Sequence, residues 1–487
     1  MRRSKRPDAI VDGRATVRRV TPTCAEPRPV AQPHASAGKC TQVHLPAEET
    51  GRGAVGETGV MTPDASQQPT EFIRTMADGT TKQVNPLSGT KVWTVPGRGD
   101  RPLGLVPPGV KDLEPHDFTA SCAFCSDRYL ETPPEKVRSV LAAGSAEGPR
   151  FVRLRGLTPA EVTSQVAEFR RIPNLFEIMS VDYWQANHGY TFDDAIEARR
   201  RAYEAADGGR EHLLRLARVR LGKRAEGATD AELLDAAGDF FASTHDVIVG
   251  RRHYVDGATR SDQLASSGAL TPTEHREYLD LTIDAMAELY ATNPHVRYVA
   301  AFQNWLKPAG ASFDHLHKQI VGIDEFGTST DLDIDAARRD PRVFEELIAY
   351  ARSHDLVVAE NAHAIAFAGF GHRYPSIEIW STSGTCEPWL MTDDERHAMA
   401  DLVHAMHAAT GTDVPCNEEW HHRPPSMSDV EIPWHVVLKW RIANLAGFEG
   451  STKIYLNTIS PAGVRDRVVP ALRRLQEEGR LAPGIRL

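Results

Sequence analysis

Three side chains that can handle a phosphate group stand at alternate positions in residues 309–324, AGASFDHLHKQIVGID: they are His315, His317 and Gln319. In a β-strand they would point to one face, with about 7 Å between alternate residues. A neutral imidazole is a competent nucleophile when its other ring nitrogen is held by an acceptor. The small residues at 310–312 let a phosphate approach the backbone amides closely. His317, in the middle, is therefore the candidate nucleophile, although three polar residues on the wet face of an edge strand explain the spacing equally well.

Cys122 and Cys125 form a second candidate site, a C-x-x-C within SCAFCSDRYLETPPE. In a chain with only six cysteines, this spacing indicates zinc or redox chemistry and not a disulfide scaffold. Zinc would need two further nitrogen or sulfur ligands to complete a tetrahedron, and the sequence contains no second C-x-x-C. Two incidental thiols are the alternative.

The elements that must position these residues occur twice along the chain. In the first copy HDVIVGRRH predicts a strand, LTPTEHREYLDLTIDAMAELY predicts a helix with a Thr271-x-x-Glu274 capping box, and VRYVAAFQN and FDHLHKQIVGI predict two strands. In the second copy SIEIWSTS predicts a strand, MTDDERHAMADLVHAMHAAT a helix capped by Thr392-x-x-Glu395, and IPWHVVLKWRI a strand with a central histidine. A repeat of this kind predicts two similar units that share one sheet, with helices packed on it.

The second copy does not keep the polar row. When His317 is aligned with His435, Pro433 replaces His315 and Val437 replaces Gln319. The row is therefore not needed for the fold, which favours a chemical role for it in the first copy.

Composition narrows the class of partner. The formal net charge of −10 gives no electrostatic footprint for nucleic acid or for an anionic membrane surface. No stretch approaches the roughly 18–20 apolar residues of a spanning helix, and no apolar segment follows the basic N-terminus. We therefore expect a cytoplasmic protein that acts on small molecules, without nucleic-acid or membrane partners.

Together and in order, these segments resemble the galactose-1-phosphate uridylyltransferase family of the histidine-triad superfamily, over residues 82–465. NPLSGTKVWTVPGRGDRP is similar to the opening strand and its R-x-x-R-P motif, and CAFCSDRYLETPPE to the zinc segment. HDVIVGRRH resembles the stretch whose last histidine binds zinc, and FQN followed by AGASFDHLHKQI resembles the H-x-H-x-Q motif. NEEWHH and WHVVLKWRIANLAGFEG are similar to the degenerate second half.

The resemblance implies an α+β fold of two histidine-triad-like repeats that share a largely antiparallel sheet with flanking helices. We expect residues 80–325 to form the first half, with the zinc site and the active site, and residues 326–487 to form the second, degenerate half. Residues 191–240, charged and rich in Ala and Leu, predict an inserted helical segment broken at Gly208-Gly209 and Gly227. Residues 1–75 lack a hydrophobic period and predict a disordered tail.

The resemblance also implies roles for particular residues. Zinc would be held by Cys122, Cys125, His253 and His315. His317 would attack the α-phosphorus of a nucleotide sugar, giving a nucleotidyl-histidine and releasing a sugar 1-phosphate, and a second sugar 1-phosphate would then take the nucleotide. Gln319 would assist by hydrogen bonding to the non-bridging oxygens.

Further positions are matched less directly. The substrate-binding residues implied besides Gln319 are Arg98, Arg101, Asn304, Ser312 and Glu449. Some members hold a second metal, iron or zinc, in the second half, where His421 and His435 are the matched histidines. The resembled enzymes are commonly homodimers.

The sequence departs from the family in three places. Leu316 and Lys318 replace a proline and a glycine within the motif, and Lys318 would point to the opposite face of the strand. GRRH is one residue shorter than the usual approach to the third zinc ligand, so His245 is an alternative to His253.

Three functions remain open on the sequence. The leading one is transfer of a nucleoside monophosphate, expected to be UMP, from a nucleotide sugar to a sugar 1-phosphate by a ping-pong mechanism, with galactose as the expected sugar. The second is a nucleotide-sugar or dinucleotide phosphorylase or hydrolase with the same fold. The third is a zinc-stabilised nucleotide-binding protein without catalysis.

Overall fold

The computed structural model describes residues 71–97, 109–142, 150–442 and 445–487, all within the unit Pro69–Leu487. The strands of this part of the chain are β1 (Ile73–Thr75), β2 (Thr81–Val84), β3 (Lys91–Thr94), β4 (Val137–Leu141), β5 (Phe151–Leu154), β6 (Phe169–Pro173), β7 (His245–Gly250), β8 (Tyr298–Trp305), β9 (His317–Ile323), β10 (Val357–Glu360), β11 (Ala364–Gly369), β12 (Ser376–Ser381), β13 (Cys416–His421), β14 (His435–Trp440) and β15 (Ile454–Asn457).

The helices lie between these strands along the chain, singly or in groups, and after the last of them. They are α1 (Asp117–Ala120), α2 (Pro159–Ser164), α3 (Val181–His188), α4 (Asp194–Ala205), α5 (Gly209–Leu221), α6 (Asp230–Ala242), α7 (Pro272–Thr292), α8 (Thr328–Arg339), α9 (Val343–Ser353), α10 (Asp393–Thr410), α11 (Gly447–Thr452) and α12 (Pro461–Glu477).

One large sheet joins the two repeats. Its strand order is β10-β11-β12-β14-β13-β8-β9-β7-β6-β4-β5, and every neighbouring pair is antiparallel. The halves meet where β8 of the first repeat pairs with β13 of the second, with Asn304 opposite Asn417 and Phe302 opposite Glu419. The predicted fold class, two repeats sharing an antiparallel sheet with flanking helices, is confirmed.

A small second sheet has the order β1-β2-β3-β15, with β15 parallel to β3. β1 begins at Ile73, inside the stretch 1–75 that we predicted to be a disordered tail. The reason is the side chain of Phe72, whose ring lies 5.1 Å from that of Tyr350 and 6.2 Å from that of Phe370. The rest of the predicted tail, residues 1–70, lies outside the described residues.

The long helices of the repeats agree with the sequence. α7 and α10 begin immediately after Thr271 and Thr392, and both predicted capping boxes form with Glu274 and Glu395. α7 packs against α10, and α10 against α12, on one face of the large sheet. A capping box supplies hydrogen-bond acceptors to the first backbone amides of a helix and so fixes where the helix starts. Because its residues lie only three positions apart, the local sequence predicts these boundaries.

Residues 191–240 contain three helices, α4 to α6, as the composition predicted. α5 starts after Gly208, whose φ of +72° favours glycine, and a further turn at Gly227 has φ of +82°. That these helices are an insertion into the family fold stays a prediction.

One expectation about the site strand differs. We predicted that residues 313–323 form one strand with His315 in its polar row, but β9 begins at His317. His315 lies just before the strand, because its side chain points into a cluster of cysteine and histidine residues.

Candidate active site and metal centres

Four predicted ligand residues meet in one cluster. The Cys122 and Cys125 Sγ atoms lie 3.8 Å apart, and His253 Nδ1 lies 3.6 Å from each. His315 Nδ1 lies 3.5 Å from Cys122 Sγ and 3.7 Å from Cys125 Sγ. A tetrahedron with zinc–sulfur bonds of about 2.3 Å has a sulfur–sulfur edge of about 3.8 Å. The cluster therefore has the composition and the size of a structural zinc site.

Hydrogen bonding and charge prepare this cluster for a cation. His315 Nε2 donates to the Gly250 carbonyl oxygen at 2.7 Å, so the unprotonated Nδ1 faces the thiols. The neighbouring Cys122 thiol, followed by the two imidazoles, lowers the pKa of the Cys125 thiol. Thiolate sulfur and imidazole nitrogen are donors that zinc prefers.

His317 stands directly beside this cluster. Its Nδ1 donates to the His315 carbonyl oxygen at 2.7 Å, which leaves the lone pair of Nε2 unused by that bond. Burial lowers the pKa of His317 to about 4, so the ring is neutral at pH 7. The backbone of a predicted metal ligand thus orients the predicted nucleophile.

The pocket at His317 has a volume of about 440 Å³. Gln319 and Ser312 line it beside His317. Apolar side chains form much of the remaining wall, among them Phe124, Phe313, Ile172 and Leu175. The rings of Phe124 and Phe313 lie 4.7 Å apart, and the ring of Phe124 lies 5.4 Å from that of His317. Polar groups beside aromatic walls suit a nucleotide.

His245, the alternative to His253, lies away from the thiols. Its Nε2 is 3.0 Å from Gln319 Oε1, so the structure brings it to the active-site side of β9. His253 occupies the ligand position in spite of the shortened GRRH approach.

Asn304 takes part in a series of side-chain hydrogen bonds that extends from the first repeat to the second. Its Oδ1 accepts a hydrogen bond from Asn417 Nδ2 at 2.7 Å, and Asn417 Oδ1 accepts from Arg441 Nη1 at 2.6 Å. Asn304 lies on β8, the strand next to His317. The sequence analysis did not single out Asn417 or Arg441, since only the β8–β13 register reveals the contact.

Of the predicted substrate-binding residues Glu449, Arg98 and Arg101, the structure describes only Glu449. Glu449 lies in α11, where its Oε2 accepts a hydrogen bond from the Ala446 amide at 3.0 Å as a local helix cap. In the part of the chain that the structure describes, Glu449 does not line the pocket at His317. Arg98 and Arg101 lie outside the described residues.

A second cluster lies on the same face of the sheet, in the second repeat. The side chains of His421 and His435 come together with that of Asp333 from α8, all with possible ligand atoms within 4.8 Å of one another. His435 is stacked between Trp380, at 3.8 Å, and His421, at 4.7 Å. Its Nδ1 donates to the Pro433 carbonyl oxygen at 2.9 Å, which repeats the tether of His317 in the first half.

The electrostatics of this second cluster follow from burial. Burial raises the pKa of Asp333 to about 7 and lowers that of His421 to about 3. A carboxylate and two imidazoles could hold a metal ion, which would return the buried carboxylate to its charged form. Asp333 was missed because a single aspartate in a helix gives no sequence signal.

Lys318 lies on the opposite face of β9, as predicted, and is fully buried. Its Nζ lies 2.5 Å from Glu418 Oε1, and Glu418 also accepts hydrogen bonds from His407 Nε2 at 2.6 Å and Trp420 Nε1 at 2.5 Å. Burial alone would raise the pKa of Glu418, but Lys318 and His407 hold it well below its usual value. The departure from the family motif is thus compensated by a partner on β13.

The family described as a domain of unknown function, DUF4921, matches residues 76–487. The chain belongs to that family. This DUF4921 member is 25% identical over 186 residues to an ADP-glucose phosphorylase of Arabidopsis thaliana, and the match covers 36% of the chain and 52% of the relative. The chain thus matches about half the length of that relative.

Two solved structures share the fold of the DUF4921 member. The crystal structure of an ADP-glucose phosphorylase from Arabidopsis thaliana with bound ADP-glucose is 18% identical, has a TM-score of 0.52, and the match covers 80% of this chain and 98% of that one. A GalT-like protein from Arabidopsis thaliana is 17% identical, with a TM-score of 0.51 and the same coverage. The predicted resemblance to proteins of the galactose-1-phosphate uridylyltransferase type is confirmed at the level of the fold.

No helix in the described part of this DUF4921 member has an apolar stretch long enough to cross a membrane. Cytoplasmic location and homodimer formation stay predictions.

Proposed function

We propose that this protein transfers a nucleoside monophosphate from a nucleotide sugar through His317. The observation that carries the proposal is the tether of His317 Nδ1 to the His315 carbonyl oxygen, which directs the other ring nitrogen toward the pocket. His317 Nε2 forms a bond to the α-phosphorus, and the bond from that phosphorus to the bridging oxygen breaks. The departing sugar 1-phosphate takes the electron pair.

The second half-reaction restores the histidine. An oxygen of an acceptor phosphate attacks the phosphorus, and the phosphorus–nitrogen bond breaks with its electrons returning to His317. The phosphoramidate is reactive enough for this step, so the protein mainly needs to position the groups and screen their charge. Gln319 and Ser312 supply hydrogen bonds to the non-bridging oxygens, and Asn304, Arg98 and Arg101 bind the remainder of the nucleotide.

Zinc has a structural role in this proposal. Cys122, Cys125, His253 and His315 hold the ion, which fixes the approach to β9 and the carbonyl group that orients His317. In the second repeat, Asp333, His421 and His435 hold a second metal, iron or zinc. Metal analysis of the wild type should then give two equivalents per chain, and His421→Ala should remove one of them without removing the zinc of the first site.

Two acceptors are candidates. A sugar 1-phosphate makes the enzyme a transferase of the uridylyltransferase type, with UMP as the expected group and galactose as the expected sugar. Inorganic phosphate makes it a nucleotide-sugar phosphorylase. The relative described as an ADP-glucose phosphorylase supports the second candidate.

The test is intact-protein mass spectrometry after brief incubation with UDP-, ADP- and GDP-sugars without acceptor. We expect the wild type to gain the mass of one nucleoside monophosphate and His317→Ala to gain none while keeping its zinc. Adding phosphate or a sugar 1-phosphate to the isolated adduct should release a nucleoside diphosphate or a nucleotide sugar respectively, which identifies the acceptor.

Three other experimental results would each favour a different assignment. Loss of zinc from His317→Ala would show that the roles of His315 and His317 are exchanged. Tight nucleotide binding without an adduct or turnover, on zinc-loaded protein, would favour the binding-protein hypothesis. Hydrolysis of the donor by water at the same rate with and without acceptor would favour a hydrolase.

A further inference from the structure

His245 has a defined set of hydrogen-bond partners beside the active site. It is the first residue of β7 and is 1% exposed. The backbone amide of Ile178 lies 3.1 Å from its Nδ1, and Gln319 Oε1 lies 3.0 Å from its Nε2. The sequence suggested His245 only as a substitute zinc ligand, but the cluster with the two thiols contains His253 and His315 and not His245.

The backbone partner decides which ring nitrogen of His245 carries the proton. A backbone N–H can only donate, so Nδ1 must accept from Ile178 and be unprotonated. Burial lowers the pKa of His245, which keeps the ring neutral and places its single proton on Nε2. Asn174 Nδ2 also lies 3.0 Å from Nε2, and Asn174 Oδ1 accepts from the Phe176 amide. Two donors cannot share this contact, so with Nε2 protonated the Asn174 carboxamide must turn and give up the bond from Phe176.

The orientation of Gln319 follows from that of the imidazole. Because His245 Nε2–H donates, its partner on Gln319 must be the carbonyl oxygen Oε1. The amide NH₂ of Gln319 is then left for the pocket that it shares with His317. Gln319 and His317 are two residues apart on β9 and point to the same face.

We propose that His245 is a positioning residue that holds the Gln319 carboxamide with its NH₂ toward the substrate's non-bridging phosphate oxygen. The inference rests on the proposed function, since it concerns the transition state of transfer to His317. Without the restraint, the carboxamide can rotate by half a turn and present Oε1, whose lone pairs repel a phosphate oxygen. His245 itself need not touch the substrate.

The kinetic test compares His245→Leu, His245→Gln and Gln319→Ala in single-turnover adduct formation. Removing one hydrogen-bond donor to a developing oxyanion typically costs roughly 100- to 1000-fold in rate, so we expect Gln319→Ala to lose about that much. His245→Leu should lose at least about 10-fold in the rate constant with little change in donor affinity, since the NH₂ is mispositioned but not removed. His245→Gln can still donate to Oε1 and should recover most of the rate.

A double-mutant cycle separates positioning from general damage. If His245 acts through Gln319, adding His245→Leu to Gln319→Ala should cost almost nothing further. His404→Gln is the matched control: His404 is a buried histidine of α10 whose Nε2 donates to the Leu270 carbonyl oxygen at 2.7 Å, and its substitution should leave the rate unchanged. Losses that add in the double variant would overturn the proposal.

A stereochemical readout tests the contact with phosphate directly. In a nucleotide sugar with one α-oxygen replaced by sulfur, the two diastereomers place the poor acceptor sulfur on opposite sides. We expect the wild type to prefer one diastereomer and His245→Leu to lose much of that preference, whereas a purely structural loss would slow both equally. Equal slowing would contradict the proposed role.

A measurement that needs no turnover keeps this inference separate from the proposed function. In protein with ¹⁵N-labelled histidine, the His245 ring, assigned by its absence from His245→Gln, should show an unprotonated Nδ1 and a protonated Nε2. The opposite tautomer would refute the inference even if the enzyme is active. The expected tautomer in a protein that forms no adduct with any donor would mean that the proposed function has failed and the positioning role with it.

Discussion

Lys318 offers the strongest test of how the structure compensates for an unusual residue in its central motif. The side chains of Lys318 and Glu418 are both 0% exposed and their charged atoms lie 2.5 Å apart. We consider three variants: Lys318→Met, Glu418→Gln, and the two changes together. Methionine and glutamine keep approximately the volume of the residues they replace, so the cycle addresses charge more than packing.

The expected magnitudes follow from what each change leaves behind. Lys318→Met leaves the Glu418 carboxylate buried with His407 and Trp420 as its remaining partners. Glu418→Gln leaves a buried ammonium group whose nearest other polar partner is Gln303 Oε1, at 3.4 Å. Breaking a buried pair by removing one partner typically costs about 3–5 kcal/mol, whereas replacing both partners is often nearly neutral.

The double variant should therefore be more stable than either single variant. Two independent losses would sum to roughly 6–10 kcal/mol, close to the whole stability of an ordinary domain, but we expect the double variant to lose less than about 2 kcal/mol. The coupling free energy between the two sites should thus exceed about 3 kcal/mol.

The assay is urea unfolding of zinc-loaded protein at pH 7, with the midpoint and the slope compared among the four proteins. Additive losses, or a loss below about 1 kcal/mol in Lys318→Met, would refute the reasoning, because an exposed or unpaired lysine behaves in that way. Unchanged zinc content in all four proteins is the control that the opposite face of β9 is undisturbed.

Three further outcomes are expected. Cys122→Ser should lower the zinc content by about one equivalent per chain and reduce thermal stability, as measured by metal analysis and calorimetry; full retention of the metal would argue against the cluster as its site. Burial raises the pKa of Glu177 to about 7. The folded state then binds a proton that the unfolded state has released between about pH 4.5 and 7, so this group lowers stability as pH rises through that window. In the wild type this group should lower the free energy of unfolding by up to roughly 3 kcal/mol as pH rises, and Glu177→Gln should remove that decrease. Urea unfolding measured from pH 5 to 8 checks this, and an unchanged pH dependence in Glu177→Gln would mean that the carboxyl is solvated. Gly371→Ala should destabilise by about 1–3 kcal/mol or more, since φ is +69° and a Cβ atom would lie 2.1 Å from the Asn85 amide nitrogen. Gly89→Ala, with φ of +66° and no atom within 4 Å of the added Cβ, is its control and should cost less.

Local patterns predicted much of the framework correctly. The strands β7, β8, β12 and β14 and the starts of α7 and α10 were readable because a side-chain alternation or a capping box involves residues only a few positions apart. The predicted strand 313–323 starts before the observed β9, which begins at His317. Nothing in the alternation reveals that His315 leaves the row to face the thiols, since both conformations satisfy the same local pattern.

The sequence likewise predicted some residues of the candidate site and missed others. The four cluster residues were named in advance because the resemblance supplied a matching segment for each of them, although the shortened GRRH left His245 as an alternative to His253. Asp333, Asn417 and the contact between His245 and Gln319 were not, because each depends on which strands or helices lie side by side. Glu449 was matched to the family but caps its own short helix.

By itself, the sequence determined which chemical groups stand at the two candidate sites: paired thiols and histidines that could hold a metal ion, and an imidazole two residues from a carboxamide that could bind a phosphate. It also determined that Lys318 must face away from His317, since neighbours in a strand point to opposite faces. Only the tertiary structure decided which partners these groups meet. The antiparallel register brings together residues 100 or more positions apart in the chain, such as Lys318 and Glu418 and Asn304 and Asn417. Such register is set by the burial of whole strand faces and not by any single segment, so no local pattern contains it.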